Sequence, residues 1–200
     1  MLVTLLAGPA ACTTTASSRL ASPVAPVRRV WVVVSLGEFS ALGPAGNAAR
    51  RPGGEVSEAM RANFPATLSR NGLPVSGYLG LARPLANLSA LDALWAANQA
   101  SLLGTSHVLV LTAQRMHNEG AGRIEYEAVL WDTASQVLAW KSAPSFQISR
   151  SRPRTAEAEV LAGDLLRALQ RDELATLPKG YPIDANGVEI AREWVPIRLY

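Results

Sequence analysis

Gly104 to Trp140 reads GTSHVLVLTAQRMHNEGAGRIEYEAVLWDTASQVLAW, and this run decides the architecture. Within it, Ser106–Arg115 (SHVLVLTAQR) opens on an almost unbroken apolar stretch, the pattern of a strand covered on both faces. Arg123–Trp131 (RIEYEAVLW) alternates instead. Ile124, Tyr126, Ala128 and Leu130 fall on one face, Glu125 and Glu127 on the other. Asp132-Thr133-Ala134-Ser135 is a turn, and Gln136–Ile148 returns as the second arm of a hairpin. Trp131 and Trp140 flank the turn and are expected to pack across the two strands.

Upstream of this run, Gly104 reads as a helix stop, and the helix before it carries Leu91, Leu94, Trp95 and Leu102 behind an N-cap at Ser89. Val30–Leu36 (VWVVVSL) is a second continuous β-branched strand, followed by a Gly/Pro-rich loop over Ser40–Gly54. Glu55–Asn71 places Val56, Met60, Phe64 and Leu68 on one helical stripe. Glu55 and Glu58 suit its first turn, Asn71-Gly72 ends it, and Pro65 should kink or divide it. Leu73–Leu81 is a short strand. Thr155–Leu174 is a final helix with Val160, Leu161, Asp164, Leu165 and Leu169 near its buried side, closed by Pro178 and Gly180.

The order β-α-β-α-β-β-β-α predicts an α/β (α+β) fold, a mixed sheet of about five strands with helices packed on it. One domain spans residues 28–178. The tail, 179–200, ends in WVPIRLY, a candidate edge strand because Pro196 excludes a central position.

The 200-residue chain is 48% hydrophobic and 18% charged, enough apolar content for a sizeable core. A net charge of +3 does not point to nucleic acid, so any anion-binding site must rest on local clusters. Two exist: Arg50 and Arg51 after the first strand, and Arg150, Arg152 and Arg154 in SRSRPR. At one edge of the sheet they would suit lipid phosphate, peptidoglycan carboxylates or an acidic partner; otherwise they are solvated loops.

The N-terminus has its own order of parts. Met1–Ala11 (MLVTLLAGPAA) is an apolar run ending in small residues directly before Cys12, the single cysteine. It reads as a lipoprotein signal over 1–11 with acylation at Cys12. Pro9 stands where leucine is usual and no basic residue precedes the run, departures that a start upstream of Met1 would explain. The other reading is an apolar element with a buried cysteine. Thr13–Val27 (TTTASSRLASPVAPV) is rich in Thr, Ser, Ala and Pro, which predicts a disordered tether over 12–27. Thr13, rather than Asp, follows the cysteine, which by resemblance to enterobacterial sorting implies the outer membrane. Nothing approaches the ~18 apolar residues of a spanning helix.

Enzyme signatures are missing. GPAGNAARRPGG lacks the Lys-Ser/Thr of a phosphate-binding loop, and there is no Gly-x-Ser-x-Gly or His-Glu-x-x-His. His107, opening a buried strand, and His117, beside a Gly-rich turn, read as structural or solvated. One cysteine and two distant histidines give no zinc framework. No catalytic residue, metal or cofactor is expected.

Gly104–Trp140 resembles a segment shared by small periplasmic lipoproteins. In that group a helix end, an apolar strand and a hairpin with an Asp-x-x-Thr-Gly turn lead to a Val-x-x-Trp-type strand. Asp132–Trp140 matches this in outline, with Ser135-Gln136 in place of the usual Gly-Lys or Gly-Glu. The group includes the N-terminal domain of the Tol translocation protein and lipoproteins of curli secretion, penicillin-binding-protein activation and export systems. The resemblance covers about 150 residues by order of elements and rests on a hairpin shape. It implies a mixed sheet with helices and a non-enzymatic assembly, scaffolding or transport-auxiliary role. The expected location is the periplasmic face of the outer membrane, with the lipid as anchor and an envelope protein or peptidoglycan as partner. Two alternatives stand beside it: a subunit of an oligomeric export ring, and an envelope hydrolase or transferase with a dispersed site.

Overall fold

The structure is a computed structural model and describes residues 16–20, 25–35, 52–81, 97–117, 123–147 and 153–190. Its elements are β1 (Ala16–Arg19), β2 (Val30–Ser35), α1 (Pro52–Arg70), β3 (Val75–Leu81), α2 (97–102), β4 (His107–His117), β5 (Arg123–Asp132), β6 (Val137–Ala143), β7 (Ser145–Gln147) and α3 (Arg154–Arg171). Among the described residues one sheet of 7 strands forms, in the order β1-β6-β5-β4-β2-β3, with β7 also on β5. The α/β fold and mixed sheet are as expected; the strand count is higher.

Two physical causes add the strands. Gln136–Ile148 is interrupted at Pro144, which has no N–H to give a ladder, so β6 and β7 lie end to end along β5. The Tyr126 N–H still donates to the Pro144 carbonyl at 2.9 Å. The other addition is β1, which corrects the expected tether. Ala16–Arg19 pairs antiparallel with β6, Ala16 opposite Ala143 and Arg19 opposite Trp140. Composition misses this because the segment brings no core of its own; its order comes from backbone bonding to an open sheet edge. Leu20 N–H donates to the Ala139 carbonyl at 2.9 Å, and Val27 is buried with its N–H on Leu174 at 2.8 Å.

β2 is parallel to both β3 and β4, while β4, β5 and β6 are antiparallel neighbours. The chain therefore leaves β2 in one direction to reach β3, then crosses back over it to reach β4. Two right-handed crossovers in opposite directions must put their helices on opposite faces. That is observed. Val30, Val32 and Val34, with Leu109, Leu111, Tyr126, Ala128, Leu130 and Trp140, face Phe64 and Leu68 of α1 and Leu161, Leu165 and Leu169 of α3. The alternate residues Val33, Val108 and Val110 face Ala97 and Ala100 of α2, with Trp31, Val129 and Trp131 partly covered.

Trp131 and Trp140 therefore do not meet. A bulge between Leu130 and Trp131 sets Trp140 opposite Leu130 and Leu138 opposite Trp131, which sends the two rings to opposite faces. Trp140 instead donates from Nε1 to Asp172 Oδ2 at 2.7 Å.

α1 runs unbroken through Pro65, against the expected division. It starts at Pro52, where a proline's missing N–H costs nothing. All three helices stop in the same way. Leu73 N–H reaches Leu68, Thr105 reaches Ala100 and Leu174 reaches Leu169, with Gly72, Gly104 and Glu173 at positive φ between. The last helix thus ends at Arg171, well before Pro178.

The chain remains packed beyond residue 178. Asn71 accepts the Ile183 N–H at 2.6 Å and donates to the Ile183 carbonyl at 3.1 Å, while Ile190 and Pro182 rest on Gly163 of α3. The proposed WVPIRLY strand lies outside the described residues.

Candidate functional site

Of the residues singled out from sequence, Cys12, Arg50, Arg51, Arg150 and Arg152 lie outside the described residues. Arg154 is the first residue of α3. The topology nonetheless locates the flanks of both arginine segments. Residues 36–51 connect the end of β2 to the start of α1, and residues 148–152 connect the end of β7 to Pro153 and α3. Both flanks belong to the end of the sheet where the parallel strands finish, and in a sheet wound in two directions this is where ligands usually meet the fold.

Strand register fixes what else stands there. β2 ends at Ser35 opposite Thr112, but β4 continues to His117, paired with Arg123, which in turn pairs with Gln147 of β7. The β4–β5–β7 unit thus projects past the rest of the sheet by five residues, roughly 15 Å. Arg115, His117, Arg123 and Arg154 occupy positions at this end, with Glu125 opposite Arg115.

Beneath it, Tyr126 and Glu157 are both buried on the α1/α3 face. Glu157 lies in the first turn of α3, where a carboxylate suits the exposed N–H groups. Burial, and then the Glu157 charge, raise the Tyr126 phenol far above its ordinary range. On the same face Ser142 Oγ is buried with no hydrogen-bond partner among the described residues.

The opposite end carries Ser106, His107 and Asp132, residue types that elsewhere make a nucleophile, base and orienting acid. Their wiring here is that of a clasp. Ser106 Oγ accepts the N–H groups of Arg28 and Arg29, both at 3.1 Å, and donates to the Arg29 carbonyl at 2.8 Å. Its proton is therefore committed to backbone. His107, completely buried, meets that hydroxyl through Nδ1 at 3.0 Å, while Nε2 has no partner among the described residues. Burial pulls the imidazole below its ordinary 6.5, and Asp132 opposes this.

Asp132 faces His107 across the β4–β5 register, yet its Oδ1 caps the turn by accepting from Ala134 N–H at 2.8 Å. Burial pushes its carboxyl up, and the turn N–H groups more than reverse that, leaving it below 3.8. Thr133 Oγ1 closes the clasp on the carbonyls of Thr105 at 2.6 Å and Ser106 at 2.9 Å. These groups bind the start of β2, the start of β4 and the hairpin turn together. The structural reading of His107 matches its place at the head of a buried strand; the Thr133 and Ser106 contacts left no sequence signal.

Among the described residues no group of three or more His, Cys, Asp or Glu side chains is placed to hold a metal ion. No helix among them is long and apolar enough to cross a membrane.

Neither a family model nor a curated protein matches the chain. Solved structures do. The PelC dodecamer from Paraburkholderia phytofirmans is 15% identical, covers 78% of this chain and 97% of its own, and has a TM-score of 0.47. Lipoprotein GNA1162 from Neisseria meningitidis is 13% identical over 72% of this chain and 98% of its own, at a TM-score of 0.38. Protein XCC0632 from Xanthomonas campestris is 12% identical over 76% of this chain and 92% of its own, at a TM-score of 0.34.

Proposed function

We propose that this chain is a non-enzymatic lipoprotein of the bacterial envelope, acylated at Cys12, that serves as an assembly, scaffolding or transport-auxiliary factor by binding another envelope component. The observation that carries the reading is the N-terminal order of parts. An apolar run, two alanines and the single cysteine precede a strand that begins at Ala16, four positions after Cys12 in the sequence. A diacylglyceryl group supplies more than the single acyl chain that gives only marginal membrane binding. Thr13 after the cysteine favours the periplasmic face of the outer membrane.

The partner is an envelope protein or peptidoglycan, met at the arginine-bearing end of the sheet. Arg50, Arg51, Arg150, Arg152 and Arg154 are the anion-contacting candidates, since guanidinium forks pair with phosphate or carboxylate in two-point bonds. The anchor is tested by Cys12→Ser with membrane fractionation, and by globomycin treatment of cells making the natural chain. The expected results are release into the soluble fraction and accumulation of the unprocessed form. An unchanged mature mass together with a soluble natural protein would sink the proposal.

A further inference from the structure

The two edges of the sheet differ. β1 closes one of them and carries a charge at Arg19. The other edge is β3, which pairs with β2 alone; among the described residues no strand borders its outer side. β3 reads VSGYLGL, 7 residues without a charge or a proline. Its Leu79 is 37% exposed, although Val33, its partner on β2, is buried. A long, uncharged, apolar edge is a template for unwanted pairing, and native sheets cover or charge such strands.

The C-terminal segment is fastened where β3 begins. Val75 N–H donates to Ser69 Oγ in the last turn of α1 at 3.3 Å, and Asn71, directly after that helix, holds Ile183 through two hydrogen bonds. Ile183 bridges to Glu189, and Ile190 N–H donates to the Pro182 carbonyl at 2.9 Å. Residues 191–200 follow, ending in WVPIRLY over 194–200, the same length as β3. The link 191–193 allows about 14 Å between residues 190 and 194.

We infer that residues 194–200 add to the outer edge of β3 in the same molecule, as a further strand parallel to it. Entry from the end where β3 starts gives the parallel direction. A strand turns alternate N–H groups to either side, so Pro196, which has none, faces away from β3, and Val195, Ile197 and Leu199 make the ladder. β3 is reached from β2 by a right-handed crossover over α1. For L-residues, that handedness puts the side chains of the ladder-making residues on the α2 face. Leu79 is exposed on this same face, since its partner Val33 belongs to the α2-side core. Three apolar side chains then cover Leu79. The new outer edge carries Pro196 and Arg198, devices that stop an edge from pairing further. The molecule's own tail is favoured over a second copy's because a short link holds it at an effective concentration of order mM.

The test is hydrogen exchange followed by mass analysis, on the full chain, on a chain ending at Ile190 and on Ile197→Pro, each at low and high protein concentration. Ile197→Pro removes a donor from the ladder side while keeping the length of the tail. Peptides covering residues 75–81 should exchange about tenfold faster in both variants than in the full chain, at either concentration, while β4 and β5 keep their protection. The retained protection of β4 and β5 reports that each variant is folded, and either variant alone suffices. Equal exchange of residues 75–81 with and without the tail would overturn the inference. Protection that appears only at high concentration would overturn it in favour of a second copy's tail.

Discussion

His107 shows how one residue can carry catalytic chemistry in its type and none in its setting. It is sealed from solvent, its Nδ1 is held on Ser106, and burial keeps it neutral more firmly than Asp132 draws it toward the cation. The folded imidazole therefore binds a proton less readily than the unfolded one, whose pKa is the ordinary 6.5. Below that pH the unfolded chain takes up more protons, so this contribution to stability is full above pH 6.5 and is lost as pH falls through it. Urea midpoints measured from pH 7.5 down to about 5 should decline for the natural chain and stay flatter for His107→Asn. Parallel curves would assign the slope to other groups. Trp140 is the complementary case, a large ring with one polar bond to Asp172. Trp140→Phe should cost about 1–3 kcal/mol in chemical denaturation, from the lost bond and the space left behind.

At the scale of elements, local rules succeed where the chain itself carries the cause. Gly72 and Gly104 were legible as stops because a residue at positive φ is needed there and glycine supplies it without strain. Glu173 performs the same role at φ 58 with a side chain, and therefore left no mark in the sequence. Glu173→Gly should raise stability by up to about 1 kcal/mol, read as a higher urea midpoint with the slope unchanged. Its loose pair with Arg19 at 3.8 Å is exposed and offsets little of this. A lower midpoint would show that the end of α3 is held by that side chain after all. The hairpin was readable from alternation and its turn, whereas the break at Pro144 and the bulge that parts Trp131 from Trp140 depend on register between strands. β1 is the strongest instance. Ala16, Ser17, Ser18 and Arg19 bring no apolar stripe, and they become a strand only because β6 offers an unpaired edge.

For the whole molecule, the packing of the chain after α3 extends the domain beyond what helix punctuation implies. A Cβ built on Gly163 would lie 3.2 Å from both Ile190 and Pro182, so this glycine is the seat on which the tail rests. Gly163→Leu should displace residues 182–190 and cost about 1–3 kcal/mol, a crowding penalty that outweighs the gain in helix propensity. Limited proteolysis with mass analysis should then find early cleavage within 182–190 while the sheet stays protected. Undisturbed protection would mean that the tail is held by its hydrogen bonds to Asn71 and Glu159 rather than by its seat on Gly163.

The apolar periodicities of VWVVVSL, SHVLVLTAQR and the α3 stripe, with the glycine stops, were enough to give the order of the three helices and the five strands from β2 to β6, and the mixed sheet, because each is written in a short window of chain. The sequence also offered Cys12 and the arginines as candidates without a common location. Only the tertiary structure brought the flanks of those segments to one end of the sheet and turned β1 so that the chain from Cys12 enters there. That relation depends on crossover handedness and on pairing across more than a hundred residues, which no local pattern encodes.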